Sequence, residues 1–211
     1  MKQVERILAD KLLSISAIKL QPDNPFTWAS GWNSPIYTDN RKTLSYPAVR
    51  SFIKIELARL ISEKFPEAEC VAGVATGAIA QGALVADLLN LPYVYVRSTP
   101  KDHGLENLIE GTVKLGQKII VIEDLISTGK SSLKAVEALR AAGCEVIGMV
   151  ALFTYGFPQA EKAFKKANVK LYCLSNYNAM LESALAIDYI KEADIETLRE
   201  WREDPANWAK R

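Results

Sequence analysis

Short aliphatic runs recur along the chain, and they indicate strands that are covered on both faces. The predicted strands cover residues 70–75, 92–97, 118–122, 145–153 and 170–174. The run at 118–122 shows the pattern best, because four of its five residues are aliphatic. Near-continuous apolar runs of this length are typical of buried parallel strands.

Between these runs the apolar residues follow a helical spacing. The predicted helices cover residues 2–17, 46–65, 79–90, 133–142, 159–167, 177–187 and 191–208. Strands that alternate with helices predict an α/β fold, with a doubly wound, mostly parallel five-stranded sheet flanked by helices. In such a fold, ligands bind at the carboxyl ends of the strands. We predict one domain over residues 1–211, with a core that begins near residue 41.

Residues 1 to about 40 are predicted to form a small hood on this core. The stretch 26–39 mixes aromatic and turn residues, and Thr27, Ser30, Ile36 and Thr38 fit a hairpin around Gly31 and Pro35. It could be a small sheet that covers the edge of the core, which periodicity alone favours. It could also cover a flat polar ligand, because aromatic faces and loop amides suit such a ring.

The stretch 118–132 carries the strongest chemical signal. A predicted strand leads directly into Glu123 and Asp124, then into Ser127-Thr128-Gly129 and a helix. The unpaired N–H groups at a helix start favour an anion, while two carboxylates would repel a bare phosphate. A sugar phosphate with Mg²⁺ would suit both the acids and the helix start, because its hydroxyls could face the acids while its phosphate faces the loop. Plain helix capping is the simpler alternative. The spacing of a Walker A loop is absent.

Two further loops follow predicted strands. Thr76-Gly77-Ala78 separates a strand from a helix, and by itself it indicates an ordinary turn. The connection 97–111 is long enough to be a functional loop, and it contains His103, the single histidine of the chain. A lone histidine usually has no special role. Here Arg97, Lys101 and His103 could together close over a diphosphate and neutralise it as it leaves.

Composition excludes several classes of protein. Apolar residues make up 49% of 211 positions, which is enough for a sizeable core. The 26 basic and 25 acidic residues nearly balance, so bulk charge does not predict a nucleic-acid partner. Three separated cysteines in apolar runs indicate thiols of a reducing compartment. The sequence shows neither a membrane span nor a signal peptide, so we expect a cytoplasmic protein.

The motifs resemble a known family. Val121–Ser131 is similar to the phosphoribosyl-diphosphate (PRPP) binding motif of type I phosphoribosyltransferases. Four other stretches resemble the orotate phosphoribosyltransferases within that group. They are Phe-Thr-x-x-Ser-Gly-x-x-Ser-Pro-x-Tyr at 26–37, the loop Ala75-Thr76-Gly77-Ala78, which faces the diphosphate in that family, Arg-x-x-x-Lys-Asp-His-Gly at 97–104, and Phe-Thr-Tyr-Gly-Phe at 153–157.

The resemblance implies transfer of ribosyl 5-phosphate from PRPP to orotate, with Mg²⁺, to give orotidine 5′-phosphate and diphosphate. It implies Lys101, His103 and Asp124 as catalytic residues and Ser127 as the orotate contact. The implied PRPP-binding residues are Arg97, Lys101, His103, Glu123, Asp124, Leu125, Ile126, Ser127, Thr128, Gly129, Lys130 and Ser131. No residue is assigned as a direct metal ligand, since PRPP would carry Mg²⁺ near Glu123 and Asp124.

The resemblance also implies a homodimer that shares loop 97–111 between subunits, without a nucleic-acid or membrane partner. Ala29, Thr76 and Ser98 stand where many family members carry Lys. An Arg that binds the pyrimidine carboxylate in some relatives is absent near Tyr155. A purine phosphoribosyltransferase is one alternative, although it should lack the 26–37 hood. A non-catalytic PRPP-sensing regulator is another, and it need not keep Lys101 and His103.

Overall fold

The computed structural model describes residues 2–28, 30–99 and 108–208. Its strands are β1 (Ile18–Leu20), β2 (Phe26–Thr27), β3 (Asn33–Ser34), β4 (Ile36–Thr38), β5 (Cys70–Val74), β6 (Tyr93–Val96), β7 (Ile109–Glu110), β8 (Lys118–Ile126), β9 (Glu145–Thr154) and β10 (Leu171–Asn176). Its α-helices are α1 (Lys2–Ser14), α2 (Pro47–Lys64), α3 (Ile79–Leu89), α4 (Lys130–Ala141), α5 (Pro158–Lys166), α6 (Tyr177–Ala186) and α7 (Asp194–Glu203). A 3₁₀ helix spans Asn40–Ser45.

The central sheet has the strand order β10-β9-β8-β5-β6-β7. The five predicted strands form it and run parallel to their neighbours. The predicted count of five was one too low, because the short strand β7 adds to the edge, antiparallel to β6. Two paired residues inside a long polar connection give no periodic signal, so the sequence did not reveal this strand.

The connections make the sheet doubly wound, as predicted. From β5 the chain passes through α3 to β6 on one side, whereas from β8 it passes through α4 to β9 on the other. Right-handed crossovers therefore place α3 and α4 on opposite faces of the sheet. The direction reverses between β5 and β8, and ligands of open α/β sheets bind at such a switch point.

Strand β8 is longer than its predicted range of 118–122. Its pairing with β5 ends at Ile122, but its pairing with β9 continues to Ile126 opposite Thr154. Glu123 and Asp124 therefore lie within the strand and not in the loop that follows it. This extension fixes the backbone of both acids.

The hood is built from two small pairs of strands. β2 and β3 form a hairpin that turns at Gly31, whose φ of +80° suits glycine. The prediction was wrong for Ile36 and Thr38, because β4 pairs with β1 and not with the 26–27 strand. Strands of two or three residues give too little pattern to choose a partner.

Most of the apolar residues lie in one core that includes the helices and the central sheet. Cys70, Cys144 and Cys173 are free thiols. In the part of the chain that the structure describes, no helix has the length and apolar character needed to span a membrane. The C-terminal helix α7 is shorter than the predicted 191–208, but Trp201 is fully buried as expected.

Candidate active site

The site lies where the ends of β5 and β8 meet. A side-chain Cβ placed on Gly77 would collide with the carboxylate of Asp124. Only glycine leaves room for this close approach between the loop after β5 and the strand β8. The Thr76-Gly77-Ala78 loop is therefore part of the site and more than an ordinary turn.

The loop after β5 is held from behind by Tyr93. The ring of Tyr93 occupies the space that side chains on Gly73 and Gly82 would fill. Its hydroxyl donates to the Ile79 carbonyl at 2.7 Å, in the first turn of α3. The peptide bond between Ala75 and Thr76 is cis. Tyr93 thus fixes the start of α3 and the loop that precedes it.

Glu123 is only 5% exposed, and both of its carboxylate oxygens accept hydrogen bonds within the protein. The Asp124 N–H donates to one at 3.0 Å, and the Ser132 hydroxyl donates to the other at 2.8 Å. Burial, reinforced by the nearby Asp124 carboxylate, raises the pKa of Glu123 well above its ordinary value. Glu123 therefore ties β8 to the first turn of α4.

Asp124 is half-buried, and burial raises the pKa of its carboxyl group. Hydrogen bonds from Glu123 and the Leu125 backbone, and the charge of Arg41, act in the opposite direction. The Asp124 carbonyl accepts a hydrogen bond from the Asn40 amide at 2.7 Å. This bond joins the segment just after the hood to the acidic pair.

Sequence reasoning missed Asn40 and Ser132. Asn40 is 4% exposed, and its Oδ1 has no hydrogen-bond partner among the described residues. Ser132 is buried at the start of α4. Each acts through a contact that is set by tertiary packing. The sequence offered one weak signal, a Ser on the buried side of a predicted helix start.

The loop 127–129 opens directly onto α4. Gly129 precedes the helix with φ +79°, and its Cα faces the ring of Phe164, so a side chain would not fit there. No side chain in the described part of the chain caps this helix start. Its first N–H groups are therefore available to an anion, and the helix dipole favours negative charge there.

The other predicted residues of the 125–131 segment differ in exposure. Ser127 and Thr128 are half-buried, while Lys130 and Ser131 are exposed. Leu125 is half-buried and Ile126 is completely buried, with its carbonyl accepting the Tyr155 N–H at 3.1 Å. Ile126 therefore offers no side-chain surface to a ligand.

Arg97 lies at the end of β6, where its guanidinium is 3.5 Å from the Glu110 carboxylate. Arg97, Lys130 and Ser131 line one cavity of about 700 Å³, together with Ala75 of the loop after β5. The cavity thus brings together cationic groups from β6 and α4. Lys101, His103 and Ala29 lie outside the described residues.

The described residues contain few possible metal ligands at this place. Within residues 2–28, 30–99 and 108–208, no three carboxylate, imidazole or thiol groups cluster as metal ligands. Glu123 and Asp124 provide one carboxylate each, and both oxygens of the Glu123 carboxylate are engaged within the protein. A divalent cation here would need most of its ligands from substrate and water.

Residues 48–179 match the phosphoribosyl transferase domain family, so the sheet and its switch-point site define a phosphoribosyltransferase domain. The orotate phosphoribosyltransferase of Bacteroides fragilis is 69% identical over 208 residues, covering 99% of this chain and 98% of the relative. That of Porphyromonas gingivalis is 65% identical and covers 99% of both chains. The chain belongs to the orotate phosphoribosyltransferase family, which confirms the resemblance predicted from its motifs.

Solved structures agree with this assignment. The crystal structure of orotate phosphoribosyltransferase from Aeropyrum pernix matches with a TM-score of 0.76 and 28% identity, over 87% of this chain and 99% of that one. The structure of Leishmania donovani UMP synthase matches with a TM-score of 0.79 and 26% identity, over 94% of this chain and 42% of that one.

Proposed function

We propose that this protein transfers ribosyl 5-phosphate from PRPP to orotate, forming orotidine 5′-phosphate and diphosphate in pyrimidine biosynthesis. The observation that carries the proposal is the meeting of Asp124 with the Gly77 loop beside the open start of α4. This arrangement offers an acid for ribose hydroxyls and backbone donors for a phosphate. Relatives of 65–69% identity over nearly the whole chain support orotate as the acceptor.

In the proposed reaction the bond between the ribose carbon and diphosphate breaks, and a ring nitrogen of orotate forms the new bond and gives up its proton to diphosphate or water. The backbone and hydroxyls of 127–131 hold the 5′-phosphate. Asp124 accepts from a ribose hydroxyl, and its charge favours the positive charge that develops on the ribose carbon. Glu123, predicted as a second PRPP contact, has its carboxylate oxygens engaged by the Asp124 N–H and the Ser132 hydroxyl, so its proposed part is to keep the Asp124 backbone in place. The step needs no enzyme nucleophile.

Diphosphate leaves towards cationic residues. Arg97 stands at the end of β6, and the sequence adds Lys101 and His103 on the connection that follows. Their positive charges would neutralise the leaving group. We propose that the protein is a homodimer in which loop 97–111 serves the site of the other subunit. Ser127 is the proposed contact for the orotate carboxylate.

Mg²⁺ fits this site as a cation that enters with PRPP. The protein supplies the half-buried carboxylate of Asp124 nearby, and PRPP would supply phosphate and ribose oxygens. Mg²⁺ commonly binds one or two carboxylates, substrate phosphates and several waters. When bound, it would neutralise charge on the diphosphate. We also propose a cytoplasmic location, in keeping with the three free thiols.

The test follows the ultraviolet absorbance of orotate with purified protein, PRPP and Mg²⁺. We expect a loss of absorbance that requires PRPP and falls at least about a hundredfold in the Lys101→Ala, His103→Ala double variant. Lys162→Ala, an exposed change on α5, is the control. Turnover of a purine base in place of orotate would instead establish the purine enzyme. PRPP binding without turnover of any base would establish the regulator.

A further inference from the structure

The hood is too small to hold its own shape. β2 and β3 contain two residues each, and β1 and β4 contain three. Isolated two-stranded sheets are at best marginally stable in water, even when their strands are longer. Something outside the hood must therefore fix its position on the core.

Trp201 of α7 provides such an anchor from the opposite end of the chain. Its side chain is completely buried, and its indole N–H donates to the Asn33 carbonyl at 3.3 Å. Its ring meets the Trp28 ring edge-on, with centroids 5.5 Å apart and an angle of 82°. Asn33 and Trp28 lie on opposite arms of the hood hairpin, so one side chain holds both arms.

The same ring also reaches the end of β9. Tyr155 packs edge-on against Trp201, with ring centroids 5.6 Å apart, and in a tilted arrangement against Trp28, with centroids 5.3 Å apart and an angle of 30°. The Tyr155 N–H donates to the Ile126 carbonyl, at the end of the strand that carries Asp124. Tyr155 is 2% exposed, so its ring serves this cluster and is not presented to a ligand. The cluster of Trp28, Tyr155 and Trp201 thus connects the hood, the C-terminal helix and the end of β8.

Trp28 connects this cluster to the rest of the hood. Its indole N–H donates to the Ile36 carbonyl at 3.0 Å, and its ring stacks near Trp32 with centroids 6.4 Å apart. A shift of Trp28 would therefore displace both β4 and the turn of the hairpin.

We infer that Trp201 is a positioning residue for the acceptor base: it holds the hood over the orotate subsite through Trp28 and Asn33. The inference rests on the proposed function, with the hood taken to cover the flat ring of orotate, one of the two roles predicted for the aromatic stretch 26–39. Trp201 itself touches no substrate. Its ring packs against the hood, against Tyr155 and Phe157 after β9 and against Tyr177 of α6, so its loss should affect orotate more than PRPP.

The experiment compares Trp201→Leu and Trp201→Phe with the wild type. Leucine keeps an apolar side chain but removes the aromatic contacts, whereas phenylalanine keeps one ring and loses the N–H bond to Asn33 together with part of the indole volume. We expect Trp201→Leu to raise the KM for orotate about tenfold, because misplacement of a binding element weakens substrate orientation. We expect Trp201→Phe to restore it to within about threefold of wild type. The Kd for PRPP, measured by calorimetry, should change less than about twofold in both.

Trp208→Ala is the matched control, since Trp208 packs against the core from the same end of the chain but is not in the cluster. An orotate KM that is unchanged in Trp201→Leu, or a PRPP Kd that rises equally, would overturn the inference. If Trp201→Leu does not fold, Trp201→Phe decides: a rise of about two- to threefold in the orotate KM with an unchanged PRPP Kd supports the inference, whereas a wild-type KM or an equal rise in both constants refutes it. A wild type that does not turn over orotate would refute the proposed function instead.

Discussion

At the scale of single residues, the acidic pair shows two carboxylates in different roles. The sequence predicted both acids from a strand that runs directly into them. It did not predict that Glu123 would be buried with both oxygens engaged, while Asp124 stays half-exposed. That division depends on Ser132 and Asn40, whose contacts form only when distant segments pack.

The burial of Glu123 predicts a pH dependence of stability. In the unfolded chain its carboxyl group loses its proton near the ordinary pKa of 4.5, but in the folded protein it keeps the proton to a higher pH. Above the ordinary pKa the folded state thus binds more protons, so stability falls as pH rises towards the folded pKa. Each pKa unit corresponds to about 1.4 kcal/mol.

The side chain introduced by Glu123→Gln has no titratable proton, so this variant should not lose stability as the pH rises. We expect the Tm of the variant minus the Tm of wild type to increase as pH rises from about 5 to 8, in the absence of PRPP and Mg²⁺. Thermal unfolding of both proteins across this pH range measures the difference in Tm. Glu182→Gln, an exposed change on α6, should give a flat difference. A difference for Glu123→Gln that stays flat or decreases with pH would contradict the burial argument.

At the scale of elements, the loop after β5 and the strand β8 depend on each other at one point. The sequence predicted both elements, because a buried strand, a Gly turn and a helix give strong local signals. It did not predict that Gly77 lies against Asp124, since the order of strands in the sheet cannot be read from local pattern. The same limit explains β4, which pairs with β1 across fifteen intervening residues.

Gly77→Ala tests this contact. The Cβ of the new alanine would displace the Asp124 carboxylate, so we expect PRPP binding to weaken about tenfold or more. The Tm should stay within a few degrees of wild type, because a carboxylate can move without unpacking the core. In an Asp124→Ala background the same change should cost almost nothing further, since the colliding group is gone. Calorimetric titration of wild type, the two single variants and the double variant with PRPP completes this double-mutant cycle. Additive effects would show that Gly77 acts independently of Asp124.

At the scale of the whole molecule, the question is which site the 97–111 connection serves. The segment leaves from β6 and returns through β7, the two strands at one edge of the sheet. Asp124 lies on β8, two strands inward from β6, and neighbouring strands are about 4.8 Å apart. Because the loop starts near the edge of the sheet, it can reach a site in its own subunit or in a partner. The family resemblance favours the partner.

Heterodimers of two inactive variants distinguish these cases. Asp124→Ala keeps an intact loop but damages the site. The Lys101→Ala, His103→Ala variant keeps an intact site but damages the loop. If the loop acts across the dimer, the heterodimer contains one complete site, and we expect about half of wild-type activity per dimer. Co-expression with two different affinity tags and sequential purification isolates it. A loop that acts within its own subunit would leave the heterodimer inactive, as each parent homodimer should be. A monomer in sedimentation would refute the dimer itself.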